Sequence, residues 1–266
     1  MSWPPPPACR RVVLAIFGLA LALHVSISLL ALSAGLSIRA SVIVAEVAAL
    51  LGLSVWVAGR LGLSLQAAFA LRRAAKVHWL MAVVAVIPLQ VAGGAMQQVI
   101  LDAWPQMREL LARSMQELTR TDSLADRAML LLAGVVVAAI CEEVLFRGLL
   151  LQLLARHSGW TSAILLDGLL FAAFHLEPVG LIPRTAVGVF LGLLVFRSGS
   201  LYPAMVAHAT FNFTGLFLIP MLPDAVWEQH PVQSGAGATV LFFGLLLLYL
   251  QLSRATPPSD RRPTSP

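Results

Sequence analysis

Residues 128–152 read AMLLLAGVVVAAICEEVLFRGLLLQ. A bilayer core needs about 20 apolar residues in helical form, and this run is long enough. Yet it carries Glu142, Glu143 and Arg147. Ionisable groups at membrane depth cost about 2.5–3.5 kcal/mol each on insertion scales, so three in one span need a reason. Two more apolar stretches carry polar groups: Phe171-Ala172-Ala173-Phe174-His175, and His208-Ala209-Thr210-Phe211-Asn212.

Working outward, the chain divides into apolar spans near 12–36, 41–58, 78–99, 128–152, 160–177, 179–196, 201–220 and 236–252. The expected fold is all-α, a polytopic bundle of about eight transmembrane helices, with no second domain and no internal repeat. Pro183 and Arg184 interrupt the start of the sixth span. Arg60, Arg72, Arg73 and Lys76, interleaved with Leu and Phe, predict an amphipathic interfacial helix over 59–77. Leu110, Leu111 and Met115 have helical spacing among charges, which predicts a second surface helix within 100–127. Residues 1–10, with Pro4 to Pro7, and residues 253–266 read as disordered tails flanking a transmembrane domain at 11–252. Arg10-Arg11 could open a signal peptide, but the apolar run that follows is too long for a signal core and reads as a retained helix.

Composition agrees. The chain has 266 residues, 59% hydrophobic and 12% charged, with mean hydropathy +0.85. Soluble domains carry about 25% charged residues. The net charge of +5 and pI ≈ 10.2 come from basic residues that flank apolar runs. They set topology, and with no basic–aromatic patch a nucleic-acid partner is not expected. With eight spans both termini share one side. That side collects Arg10, Arg11, Arg60, Arg72, Arg73, Lys76, Arg156, Arg197, Arg254, Arg261 and Arg262, while the loop 221–235 has Asp224 and Glu228 and no Lys or Arg. The positive-inside rule then puts both termini in the cytoplasm. Cys9 and Cys141 make no disulfide framework, and Cys141 reads as a small apolar helix residue rather than a nucleophile.

On a helix, residues four apart share a face, so Glu143 and Arg147 can pair while Glu142 points about 100° away. One carboxylate can be held by Arg147 as the other faces a cavity, which suits a general base or acid. His208 and Asn212 share a face of the seventh span. Asp167, eight residues before His175, either orients it or is structural. His24 and Glu46 have no matching partner in sequence and read as helix-packing groups. Phe171 and Phe174 read as core or cavity wall. Gly134, Gly148, Gly168, Gly188 and Gly192 suit close helix packing. Singly, each polar pair reads as interhelical glue. Together they read as a hydrolytic centre inside a bilayer. Depth poses a problem: counted along the helices, His175 falls nearer the far side than Glu142, His208 and Asn212 by about 10 Å.

The order Glu-Glu-x-x-x-Arg, Phe-x-x-x-His, His-x-x-x-Asn resembles the CPBP family of intramembrane proteases, also called the Abi or CAAX-protease-like family. The likeness covers residues 128–213, with every motif position present. It implies an intramembrane endopeptidase that hydrolyses a peptide bond of a membrane-associated protein or peptide. It also implies partners limited to membrane lipid and that substrate, and a bacterial inner membrane location. Oligomeric state and substrate are left open. The implied catalytic residues are Glu142, Glu143, Arg147, His175, His208 and Asn212.

The family has been described both as metalloproteases and as glutamate-dependent. A His-Glu-x-x-His helix is missing here, although Glu142, His175 and His208 could still supply a two-His, one-carboxylate zinc set. Asn212 is a poor zinc ligand and a good oxyanion donor, so the metal-free scheme is favoured, with no cofactor expected. Two rival functions stand beside it. One is a non-catalytic scaffold or bacteriocin self-immunity protein of the same fold. The other is a proton-coupled transporter, for which the sequence offers no repeat or symmetric broken-helix pair.

Overall fold

A computed structural model describes residues 6–222 and 231–253. All regular structure among them is helical. In chain order the helices are α1 (Pro6–Ser33), α2 (Ile38–Arg60), α3 (Lys76–Ala103), α4 (Gln106–Thr119), α5 (124–158), α6 (160–174), α7 (Leu181–Ser198), α8 (Tyr202–Met221) and α9 (Pro231–Leu252). Seven continuous helices, α5 and α6 counted as one, are long and apolar enough to cross a membrane by length and composition. Each of the eight predicted spans therefore has a helix. The tail calls at 1–5 and 254–266, most of the loop 221–235, and Arg254, Arg261 and Arg262 lie outside the described residues, while residues 6–10, also expected as tail, are the first turns of α1.

The turn between α5 and α6 positions the site. Gly159 has φ 76° and ψ 167°, a conformation open in practice to glycine alone. A Cβ there would meet nothing within 4 Å, so the requirement is for the backbone angle and not for space. The helices on either side fold back on each other. Arg147 and Asp167 would lie about 30 Å apart along a straight helix, but their side chains are 3.2 Å apart. Phe146 and Phe171 pack with ring centroids 5.3 Å apart.

This hairpin resolves the depth problem. The sequence-based boundary at 152 stops α5 too early: the helix runs on through the buried Gln152 to residue 158, leaving a single-residue turn where a loop was expected. Glu142 lies 17 residues before Gly159 and His175 lies 16 after it, so the two reach nearly the same depth.

α7 packs along the hairpin. A Cβ on Gly188 would come within 2.7 Å of the Cα of Gly168, so these two glycines let the α6 and α7 backbones touch. Pro183 sits in the first turn of α7, where its missing N–H has no helical partner to lose. α8 closes the other side against α3, α5 and α7, α1 and α2 lie against the hairpin, and α9 packs on α3. Between them Leu50, Leu145, Phe146, Leu149, Leu150, Leu191 and Leu194 form a fully buried core.

Of the two predicted surface helices, the structure has one. α4 forms over Gln106–Thr119. Its C-terminal end is tied to the start of α2 by Arg39, which donates to the Leu118 carbonyl at 2.9 Å and to the Arg120 carbonyl, and pairs with Asp126 at 3.3 Å. Residues 59–77 are not an interfacial helix. Between the end of α2 and the start of α3, only Leu65–Ala68 makes a turn of helix, and Ala70 has a positive φ of 49°. Phe69 is 2% exposed and seats against Gly148, where a Cβ would come within 2.9 Å of its ring. The backbone there is satisfied from the turn before α8: the Leu201 N–H donates to the Ala70 carbonyl at 3.1 Å, and Ser200 Oγ to the Arg72 carbonyl at 2.5 Å. Side-chain burial and these bonds outweigh the amphipathic pattern.

Candidate functional site

α5 carries Glu142 and Glu143 at the end of an α-helical stretch, Ala138–Glu143, and passes directly into a π-helical one, Val144–Leu150. Wider turns of this kind recur at functional sites because they re-aim the side chains around them. Glu143 and Arg147 are both fully buried and pair at 2.7 Å, as their spacing predicts. Arg147 has further partners on neighbouring helices. Its Nη2 donates to the Gly188 carbonyl at 3.0 Å, its Nε lies 3.2 Å from Asp167 Oδ2, and its guanidinium stands 4.4 Å from the centre of the Phe171 ring. A buried cation needs this much compensation, since the desolvation of an unpaired one costs several kcal/mol.

Asp167 is thus a counter-ion of Arg147. The expectation that it might orient His175 does not hold: eight residues span about 12 Å along the helix, and the His175 ring instead bonds the Phe171 carbonyl through Nδ1 at 2.9 Å. A carbonyl only accepts, so Nδ1 carries a proton, and when the ring is neutral Nε2 presents its lone pair. His175 caps the C-terminal end of α6 and is exposed there.

α8 supplies His208, 3% exposed, between the two glutamates. Its Nδ1 is 2.9 Å from Glu143 Oε1 and its Nε2 is 3.9 Å from Glu142 Oε2. Asn212, one turn on and partly buried, donates its amide to the Gly134 carbonyl of α5 at 2.7 Å. Phe171 is the hub that the second motif contributes. Its ring touches those of Phe146, His175 and His208 with centroids 5.3, 5.1 and 5.5 Å away, besides facing Arg147.

Glu142, Glu143, Arg147 and His208 therefore come into direct contact. His175 joins through the shared Phe171 ring and lies within electrostatic reach of Glu142 and His208. Asn212 joins through Gly134. Among the described residues, no group of three or more His, Cys, Asp or Glu side chains is gathered at metal-binding spacing. Glu142, His175 and His208 are not gathered at that spacing.

Two side chains read from sequence as packing groups lie at this centre. His24 of α1 and Glu46 of α2 stand 4.0 Å apart, and each is within electrostatic reach of Glu142. Their signal in the sequence was the one that marks the motifs, an ionisable group at membrane depth. No spacing rule linked them to a partner.

Residues 124–214 match the family described as Type II CAAX prenyl endopeptidase Rce1-like. The match is consistent with the CPBP resemblance and contains all three motifs. It supports an intramembrane endopeptidase of CAAX-protease-like type. No curated protein and no solved structure matches the chain.

Proposed function

We propose that the chain is an intramembrane endopeptidase that uses glutamate-activated water to cut a membrane-associated protein or peptide. One observation carries the reading. His208 sits between Glu142 and Glu143, although 65 residues of chain separate it from Glu143, and all three are buried at membrane depth.

In this scheme Glu142 takes a proton from water, with the lone pair of His175 Nε2 holding the water in line. The hydroxide oxygen bonds to the scissile carbonyl carbon, and charge moves to the carbonyl oxygen. Asn212 and His208 are the proposed partners of that oxyanion. Asn212 has two amide hydrogens and commits one to Gly134, leaving the other free to donate. His208 gives Nδ1–H to Glu143, so it donates from Nε2 only when that nitrogen also carries a proton. As the carbon–nitrogen bond breaks, Glu142 returns its proton to the leaving nitrogen. Glu143, Arg147 and Asp167 keep α5, α6 and α7 in register around these groups. The protein is proposed to sit in a bacterial inner membrane with both termini cytoplasmic, and its partners are lipid and substrate.

The test compares membrane peptides cleaved in cells that carry the parent or Glu142→Ala. Products that vanish with Glu142→Ala at equal protein level support the scheme. A phenotype that persists would favour a scaffold or self-immunity role. Chelator-treated, metal-analysed protein in lipid is expected to stay active. Stoichiometric zinc whose removal reversibly abolishes activity would overturn the glutamate scheme.

A further inference from the structure

The mechanism leaves two ionisable groups unused, both outside the matched segment 124–214. Glu46 begins the π-helical stretch Glu46–Gly52 of α2 and is 4% exposed. His24 of α1 faces it, Nδ1 to Oε1 at 4.0 Å, beyond hydrogen-bond range. His24 Nδ1, Glu46 Oε2 and Glu142 Oε2 are all buried without a hydrogen-bond partner. Side chains kept only to join helices would be expected to satisfy one another, and an apolar pair of similar volume is often as stable as a buried ionisable one.

Their surroundings point to the centre. The His24 ring stands edge-on to Phe174 at 5.4 Å, the residue before His175, and Phe174 packs on Phe146 at 5.6 Å. The Glu46 turn packs on the Ala138–Glu143 stretch of α5, which puts Glu46 within electrostatic reach of both Cys141 and Glu142. His24 is within such reach of Glu142 and His175. Glu142 is therefore flanked by two glutamate–imidazole pairs: Glu143 and His208, hydrogen-bonded at 2.9 Å, and on the α1–α2 side Glu46 and His24, 4.0 Å apart.

We propose that Glu46, oriented by His24, is a positioning residue of the catalytic centre that sets the orientation of the Glu142 carboxylate from the α2 face. This rests on Glu142 acting as the base. Glu46 Oε2 and Glu142 Oε2 are both buried without a hydrogen-bond partner on stretches that pack together, so a change in one carboxyl alters what holds the other.

The test uses the full chain in lipid with a peptide that the parent cleaves. Glu46→Gln keeps the shape of the side chain and is expected to lower kcat at least about tenfold with KM within about twofold. Glu46→Asp is expected to recover part of the loss. His24→Gln is expected to lower kcat, and the double variant His24→Gln with Glu46→Gln should be no worse than Glu46→Gln alone.

A second readout needs no turnover: labelling of Glu142 by dicyclohexylcarbodiimide, which attacks protonated carboxyl groups, followed by mass spectrometry. Loss of the Glu46 carboxyl alters how Glu142 is held, and the rate of labelling is expected to change at least about threefold. Should Glu46→Gln fail to fold, Glu46→Asp and His24→Gln carry both readouts. Unchanged kcat overturns the proposal, whether or not labelling changes. If the parent cleaves nothing while labelling of Glu142 still responds to Glu46, the protease reading fails and the coupling of the two carboxylates stands.

Discussion

α1 and the α5–α6 hairpin are both strongly apolar, yet 61% of the hairpin window is buried inside the protein and only 17% of the α1 window. α1 hides one stripe, Val13, Ile16 and Ala20, and leaves Leu14, Leu29 and Leu30 outside. The hairpin has protein on every side around Leu145, Phe146, Arg147 and Leu149. Hydropathy says that a segment leaves water. Whether its new neighbour is lipid or protein depends on what packs on it. A charge is tolerable only in the second case, where fixed partners can replace water. Arg147 has such partners on α5, α6 and α7. His24, the α1 residue at the centre, lies on the side that meets the hairpin through Phe174.

The sharpest attack on the contrast is at the base. Glu142→Gln is expected to lower peptide cleavage by about 10²–10⁴, the range of general-base catalysis, with thermal unfolding in detergent nearly unchanged. Residual activity above a tenth of the parent would show that the buried hairpin holds structure and not chemistry. Next is the cation. Arg147→Ala leaves Asp167 buried without a cation and Glu143 with His208 alone, and should cost about 3–5 kcal/mol of stability together with activity. Adding Glu143→Gln and Asp167→Asn should recover most of the stability and none of the turnover. A stable, active Arg147→Ala protein would make the hairpin no more demanding than α1.

The turn comes third. Gly159→Ala forces a side chain into a glycine-only conformation, at about 1–3 kcal/mol. Because Gly159 registers Arg147 against Asp167, cleavage should fall with it, measured on protein still folded by thermal unfolding. The smallest effect belongs to the lipid-facing class. Val240 of α9 is 73% exposed among apolar neighbours, and Val240→Ala should change stability by no more than about 0.5 kcal/mol and leave cleavage unaltered. A large loss there would mean that another protein surface covers α9.

Much of this was legible in the chain. Apolar length set the spans, because a bilayer demands about 20 residues whatever lies beside them. Four-residue spacing paired Glu143 with Arg147 and put His208 and Asn212 on one face, because that geometry lies within a single helix. The amphipathic pattern found α4 but misread 59–77, where Phe69 and the backbone bonds to the turn between α7 and α8 overrode it. What periodicity cannot supply is the relation between helices. Only the folded chain put Asp167 on Arg147, by reversing direction at one glycine. Only the folded chain brought Glu142 and His175 to one depth, set His208 between two glutamates, and joined His24 to Glu46 beside them. A helix's own sequence determines which residues share a face. Which face meets which partner, and at what height, is decided by packing among all the helices at once.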